Sequence, residues 1–173
     1  KREGKLILDE SDSYGVEMAL QLVDNAGEGE VTLISMAPNE EVSGLRTALA
    51  MGAAKAILIS DPALAGSDAL TTAKVLAAAA KRVEGADLIL TATESSDGYT
   101  GTVPEQLAGL LDLPSVTFAK SIAIDGSTAK VDGSGIAIMS DSSTALKPVI
   151  DEPSKPIPPV NASSSSVALT AND

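Results

Sequence analysis

Hydrophobic positions along the first 124 residues switch repeatedly between a helical and an extended pattern. Between residues 12 and 23 they recur every three or four positions and Gly27 follows, which predicts an amphipathic helix. Residues 31–36 are a short apolar, β-branched run, typical of a buried parallel strand. The alternation continues with predicted strands 56–59, 87–90 and 116–124. Three helices are predicted between these strands. Asn39 is the expected N-cap of the first and Ser67 that of the second, while Pro104 opens the third.

Helices that alternate with short strands predict an α/β domain. We expect a doubly wound, mostly parallel sheet with helices on both faces, joined by right-handed crossovers. After Asp125-Gly126, a plausible hairpin corner, Gly, Ser and Asp become frequent and 136–138 forms another apolar run. The sheet is therefore expected to end in antiparallel strands.

The last part of the chain has a different composition. Five prolines lie between 148 and 159, and four serines follow at 163–166, so regular structure is not expected to persist there. We predict an α/β domain over 1–146. Residues 147–173 are expected to form an extended Pro/Ser-rich arm that wraps a partner subunit.

Composition narrows the possible chemistry. The 173 residues carry a net charge of −12, which disfavours nucleic acid and anionic membrane surfaces as partners. Cysteine and histidine are absent from the sequence, which excludes thiol nucleophiles, imidazole bases and the usual zinc sites. No apolar run approaches the roughly 20 residues that span a bilayer. We therefore expect neither membrane insertion nor catalytic residues.

The most informative segment is the loop 91–104, which joins a predicted strand to a helix N-terminus, where α/β sheets bind ligands. Gly98 and Gly101 let the backbone approach a bound group, and the helix start offers N–H groups to a phosphate. A solvated loop with a helix cap would have the same composition. Residue chemistry alone leaves both readings open.

Four stretches resemble segments of one family. Residues 96–104, SDGYTGTVP, are similar to the SDGDTGxVP loop of electron-transfer flavoprotein β subunits, with Tyr99 in place of an acidic residue. LRTALAMGA at 45–53 and DPALAGSD at 61–68 resemble two further family segments, and DESDSYGVE at 9–17 resembles its NEYDEYAVE. The similarity covers about residues 1–131. The family's first strand would precede Lys1, so we expect an N-terminal segment to be missing.

The resemblance implies a fold of the adenine-nucleotide α-hydrolase type, with residues 1–146 as an α/β nucleotide-binding domain. It also implies a flavoprotein subunit that works as half of a heterodimer. Such a β subunit binds AMP structurally, while the α subunit holds the FAD that carries electrons from acyl-CoA and similar dehydrogenases to a quinone oxidoreductase. The location implied is the cytoplasm of a bacterium, which we favour, or the mitochondrial matrix of a eukaryote. The cofactor-binding residues carried over by motif are Asp9, Asp12, Met36, Asp97, Gly98, Tyr99, Thr100 and Gly101.

Departures from the family pattern keep other functions open. Ser11 stands where the family has an aromatic residue near the flavin, and beyond 131 the resemblance is confined to 150–153. A bifurcating-type β subunit would hold a second FAD in place of AMP. A stand-alone, stress-type nucleotide-binding protein is another alternative, although no Walker-type motif is present. An assembly protein that wraps a partner with its Pro-rich tail is the last.

Overall fold

Helices and strands alternate as the periodicity predicts. The computed structural model describes residues 7–92, 94–95, 98–125, 128–140 and 165–171, and at 39, 133–140 and 165–171 the description concerns the backbone. The helices are α1 (Glu10–Ala26), α2 (Ser43–Met51), α3 (Ala69–Ala80) and α4 (Val103–Leu111). The strands are β1 (Glu30–Met36), β2 (Lys55–Ile59), β3 (Ala86–Thr91), β4 (Ser115–Asp125), β5 (Thr128–Ser140) and β6 (Ser165–Ala171).

The six described strands form one sheet in the order β2-β1-β6-β3-β5-β4. β1 pairs in parallel with β2 and β6, and β3 also pairs in parallel with β6. β5 runs antiparallel to both β3 and β4, and its pairing with β4 begins at Asp125 and Thr128. The expected α/β sheet, mostly parallel with antiparallel strands at its end, is therefore present.

Both faces of the sheet are covered by helices. Successive side chains of a strand point to opposite faces. In β1, Leu33 therefore packs with Val16 of α1 and with α2, while Ile34 packs on the other face with Leu107 of α4 and with α3. All four of these side chains are fully buried. Two apolar layers thus hold the sheet between helix pairs.

Two helices begin at residues other than those predicted. Pro38–Glu40 form a 3-10 turn, so α2 begins at Ser43 after the N-cap residue Val42, and the expected cap at Asn39 is wrong. Asp68, not Ser67, caps α3, because its Oδ1 accepts a 2.7 Å hydrogen bond from the Thr71 N–H. The Ser67 hydroxyl instead donates to the Leu64 carbonyl, at 2.7 Å.

The C-terminal residues differ from the expected arm where they are described. Residues 165–171 form β6, which lies between β1 and β3 and pairs with both. A strand in this position satisfies backbone groups of β1 and β3 that would otherwise be unpaired in the middle of the sheet. Residues 147–164 and 172–173 of the predicted arm lie outside the described residues.

Candidate functional site

Several chain segments of the predicted site meet where the parallel strands end, an edge of the sheet called the carboxyl edge below. β1 ends there at Met36 and β3 at Thr91. A short turn joins α1 to β1, and the two elements run in opposite directions. The first residues of α1 therefore lie at the same edge as the end of β1. α4 starts there because its loop leaves the end of β3. This edge is where open α/β sheets hold ligands.

The first turn of α4 has an uncapped N-terminus. Thr102 is the N-cap residue, but its side chain makes no capping hydrogen bond, and its φ of −111° and ψ of −11° are helical. The Gln106 N–H is satisfied by the Thr102 carbonyl at 3.1 Å. Pro104 occupies the first turn and has no N–H to offer. The remaining first-turn N–H groups are therefore oriented toward the loop at the carboxyl edge.

The loop before α4 is bent by two left-handed residues. Tyr99 has a φ of +49° and Gly101 a φ of +58°. Such turns orient successive backbone N–H groups in one direction, the arrangement that forms anion-binding nests. The Gly98 and Tyr99 N–H groups are already bonded to the hydroxyl and carbonyl oxygens of Ser95, at 3.2 and 3.1 Å. Thr100 is exposed, and Asp97 lies outside the described residues.

A carboxylate lies beside this loop. A Cβ placed on Gly101 would be 3.6 Å from Glu94 Oε2, so the acidic side chain approaches the backbone before α4. The N-terminal end of a helix dipole attracts negative charge. Glu94 therefore occupies part of the field in which an anionic ligand would be stabilised. The sequence motif gave no indication of this contact.

At α1 the predicted residue Asp9 has a structural role. Its Oδ1 accepts hydrogen bonds from the Ser11 N–H at 2.9 Å and from the Ser11 hydroxyl at 2.6 Å. Asp9 is thus the N-cap that fixes the start of the helix. Its carbonyl accepts from the N–H and the hydroxyl of Ser13, both at 3.0 Å. Ser11 stands at the position where the family has an aromatic residue, and its hydroxyl donates to this capping carboxylate.

Asp12 is a buried carboxyl group at the same helix start. It is 4% exposed. Burial first, and the charge of Asp9 second, raise the pKa of Asp12 to about 7. The carboxyl group of Asp12 therefore gains or loses its proton near neutral pH. A buried carboxyl that titrates there can either donate or accept a hydrogen bond at the carboxyl edge.

The predicted site residues are divided between the two faces of the sheet. The side chain of Met36 is buried with Ile34 and Leu107, on the face that carries α4 and its loop. Asp9 and Asp12 belong to α1, which covers the opposite face. The fold therefore brings Met36 and the 98–101 loop to one side of the carboxyl edge. Met36 would contribute its backbone to a ligand, because its side chain belongs to the core.

Gln106 is a further residue of this region that the sequence analysis missed. Its Nε2 donates to Thr102 Oγ1 at 3.2 Å, while its Oε1 is buried without a hydrogen-bond partner in the described part of the chain. A buried amide oxygen without a partner is unfavourable by about 1–3 kcal/mol. Only the position of Gln106, four residues after Thr102, could have drawn attention to it.

Two other features are absent from the part of the chain that the structure describes. Within those ranges no group of three or more acidic side chains could hold a metal ion. None of the helices described is both long and apolar enough to cross a membrane.

The fold and its carboxyl edge define a class, the parallel α/β domains that carry a ligand site where the strands end. The model of the electron transfer flavoprotein domain matches residues 1–150. The chain therefore belongs to the electron transfer flavoprotein family, and its relatives place it with the β subunits.

Three relatives illustrate the similarity. The β subunit of Mycobacterium tuberculosis H37Rv is 37% identical over 124 residues, 69% of this chain and 47% of the relative. That of Clostridium acetobutylicum is 38% identical over 131 residues, 75% of this chain and 50% of the relative. Subunit CarD of the caffeyl-CoA reductase-Etf complex of Acetobacterium woodii is 39% identical over 131 residues, with the same coverage. The chain spans about half the length of these relatives.

Proposed function

We propose that this chain is the nucleotide-binding β component of an αβ electron-transfer flavoprotein. In this proposal it binds AMP structurally at the carboxyl edge and completes the FAD site of the heterodimer. The heterodimer carries electrons from acyl-CoA and other dehydrogenases to a quinone oxidoreductase of the respiratory chain. Membership of the family and of its β subunits supports this assignment.

The observation that carries the AMP proposal is the start of α4. Its first turn lacks a side-chain cap, and the left-handed residues Tyr99 and Gly101 precede it. A phosphate placed there would receive backbone N–H donors and the positive end of the helix dipole. Neither interaction needs lysine or arginine. This mode of binding suits a chain with a net charge of −12.

The other polar groups of the edge fit a nucleoside. Gln106 Oε1 is a buried acceptor that lacks a donor, and a hydroxyl or amino group of the ligand could supply one. At the opposite side of the edge, Asp12 offers a carboxyl group that titrates near neutral pH. Asp9, Asp97, Gly98, Thr100 and the backbone of Met36 complete the proposed contacts.

The redox chemistry of the complex would come from FAD, which accepts and passes on electrons when bound mainly by the α subunit. This chain would shape one wall of that site and exclude water from it. It would be an electron-carrier subunit without catalytic residues of its own. The relatives named above are bacterial, which favours the bacterial cytoplasm over the mitochondrial matrix.

A second candidate is a bifurcating-type subunit that binds a second FAD in place of AMP. Similarity to a subunit of a caffeyl-CoA reductase-Etf complex favours this alternative over a stand-alone nucleotide-binding protein. FAD contains an adenosine phosphate half, so the same carboxyl edge could hold either ligand. The two candidates differ in how much flavin the complex contains.

The deciding experiment identifies the nucleotides bound by the complex. The chain is co-purified with its α partner and denatured, and the released nucleotides are quantified by mass spectrometry and flavin absorbance. AMP and FAD in equal amounts support the first proposal, and two FAD per heterodimer support the second. A monomer that releases neither nucleotide would refute both.

A pair of glycine variants tests whether the nucleotide binds at the carboxyl edge. Gly101 and Gly27 both have positive φ, +58° and +76°, but Gly27 ends α1 at the opposite edge. Gly101→Ala and Gly27→Ala should therefore introduce similar backbone strain. We expect Gly101→Ala alone to reduce AMP retention. Equal retention in the two variants would mean that the nucleotide lies elsewhere.

A further inference from the structure

Two polar residues one helical turn apart, Thr102 and Gln106, are bonded to each other at the start of α4. Thr102 is the N-cap residue, and Gln106 follows four positions later. The Gln106 Nε2 donates to Thr102 Oγ1 at 3.2 Å, and the Gln106 N–H donates to the Thr102 carbonyl at 3.1 Å. The backbone and the side chain of Gln106 thus both hold the same residue. Together they fix the position of Thr102 relative to the helix.

The Thr102 oxygen is bonded to Gln106 instead of capping α4. The side-chain oxygen of an N-cap threonine usually accepts from the N–H of the second or third helical residue. In α4 the second residue is Pro104, which has no N–H, and the third is Glu105. Thr102 makes no capping bond to either of them. Gln106 therefore uses the oxygen that would otherwise satisfy the first turn.

The same bond decides what the Thr102 hydroxyl can offer to a ligand. A threonine hydroxyl has one proton to donate and two lone pairs that accept. Because Oγ1 accepts from Gln106, its own proton can be donated to another group. Thr102 is exposed and follows Gly101, whose φ of +58° bends the loop at the carboxyl edge. The hydroxyl proton is therefore available where the nucleotide phosphate is proposed to bind.

The amide of Gln106 is unfavourable for stability in this position. Its Oε1 is buried and has no hydrogen-bond partner within the described residues. A methionine of similar size would bury no unpaired polar atom there. A buried polar atom without a partner calls for an explanation other than stability, and such departures are expected at functional sites. The bond from Nε2 to Thr102 supplies a functional reason for an amide at 106.

We propose that Gln106 is a positioning residue, which orients the Thr102 hydroxyl so that it donates a hydrogen bond to the nucleotide phosphate. This role rests on the proposed function, because the phosphate is placed at the start of α4. The hydroxyl adds one donor to the backbone N–H groups of the loop and the first turn. A nucleoside without phosphate cannot use that donor. Thr102 and Gln106 therefore make the site select AMP over adenosine.

Calorimetric titration with AMP and with adenosine tests the role of the hydroxyl. It uses the full chain in complex with its α partner, freed of bound nucleotide. Thr102→Val removes the hydroxyl at similar shape, so it should weaken AMP binding about fivefold and leave adenosine binding unchanged. Thr102→Ser keeps the hydroxyl and should keep most of the AMP affinity. Equal losses for AMP and adenosine in Thr102→Val would overturn the proposal, because the hydroxyl would not act on the phosphate.

A double variant shows whether Gln106 acts through Thr102. Gln106→Met should weaken AMP binding about threefold in the parent chain and much less in the Thr102→Val background. A contact of Oε1 with the ligand itself would persist in both backgrounds. Gln21→Met is the matched control, because Gln21 Nε2 donates to Glu17 Oε1, four residues earlier in α1, at 2.8 Å. This control should leave AMP affinity unchanged.

Urea unfolding without nucleotide separates positioning from structural support. Gln106→Met removes a buried, unpaired oxygen, so its urea midpoint should equal or exceed that of the parent. A loss of affinity that is the same in both Thr102 backgrounds, or that comes with a lower midpoint, would overturn the proposal. So would unchanged AMP binding in Thr102→Val and Gln106→Met, with the proposed AMP site intact. Absence of AMP binding by the parent complex would overturn that site as well.

Discussion

Asp12 combines a charge-bearing group with nearly complete burial. A carboxylate in this position loses hydration and is repelled by the like charge of Asp9. Protonation removes this unfavourable energy, which is why burial and Asp9 raise the pKa of Asp12 to about 7 from the ordinary 3.8. The folded chain therefore binds one proton more than the unfolded chain between these two pH values.

Replacing Asp12 by asparagine should stabilise the protein at high pH. The raised pKa means that Asp12 contributes stability when protonated and loses that contribution as pH rises from 3.8 through about 7. The advantage of Asp12→Asn should grow by about 2 kcal/mol or more between pH 5 and pH 8. Urea unfolding of both proteins at each pH measures it. An advantage that is the same at both pH values would show that Asp12 is ionised in the folded state.

Phe118 gives a second prediction, from backbone strain. Because φ is +58°, glycine at 118 should be more stable than alanine by about 1 kcal/mol. At the exposed residue Ser121 of the same strand the order should be reversed, since glycine weakens a regular strand by about 0.5–1 kcal/mol. Urea midpoints of the four variants compare the two sites. The same order at both sites would contradict the left-handed conformation.

At the scale of elements, α4 differs from α1 and α3 in how it begins. Aspartates cap α1 and α3 with hydrogen bonds to backbone N–H groups, whereas Thr102 makes no such bond to α4. An uncapped helix start at the edge of a parallel sheet leaves donors for a ligand. Added negative charge at the start of α4 should therefore stabilise the helix and weaken its affinity for a phosphate ligand.

Thr102→Asp tests this opposition. A carboxylate beside the first turn of α4 should stabilise the helix by about 0.5 kcal/mol through the dipole. The same charge should weaken AMP binding about tenfold by repelling phosphate. Calorimetric titration with AMP and thermal unfolding measure the two effects.

Glu94→Gln is the matched variant of opposite sign. It removes a carboxylate near Gly101, so AMP binding should strengthen by about threefold. If both variants leave the affinity unchanged, the phosphate does not bind at the start of α4.

The sequence predicted most elements because periodicity and caps are local. Helical spacing and Gly27 located α1, and a β-branched run located β1 to within one residue. The start of α2 was missed because the positive φ of Glu40, not predictable from residue type, ends a 3-10 turn before the helix. β6 was missed because its strand character depends on pairing with β1 and β3, distant in sequence.

The candidate site was predictable only in part, for the same reason. The motif placed 98–101 before a helix, and the structure brings that loop and Met36 to one side of the carboxyl edge. That Asp12 is buried and that Gln106 Oε1 lacks a partner depends on the packing of whole elements. Such features have no local sequence signature. The AMP contacts stay a prediction.

At the scale of the molecule, the sheet is continuous only through its C-terminal strand. β6 joins the β1–β2 pair to β3, β5 and β4, so without it the other five described strands would form two separate sheets. Both core layers span this junction: Leu33 of β1 and Leu90 of β3 belong to one cluster, and Ile34 of β1 and Ile89 of β3 belong to the other. Loss of β6 should therefore destabilise the whole domain rather than one end of it.

Proline substitutions in β6 test this dependence. A strand paired on both sides uses every backbone N–H in one ladder or the other, so Val167→Pro and Ala168→Pro should both destabilise by about 3 kcal/mol or more. In an edge strand, one of two adjacent positions would tolerate proline. Circular dichroism during urea unfolding should therefore show two similarly large losses. If both variants unfold like the parent chain, residues 165–171 do not lie in the sheet, and the arm predicted from composition describes them better.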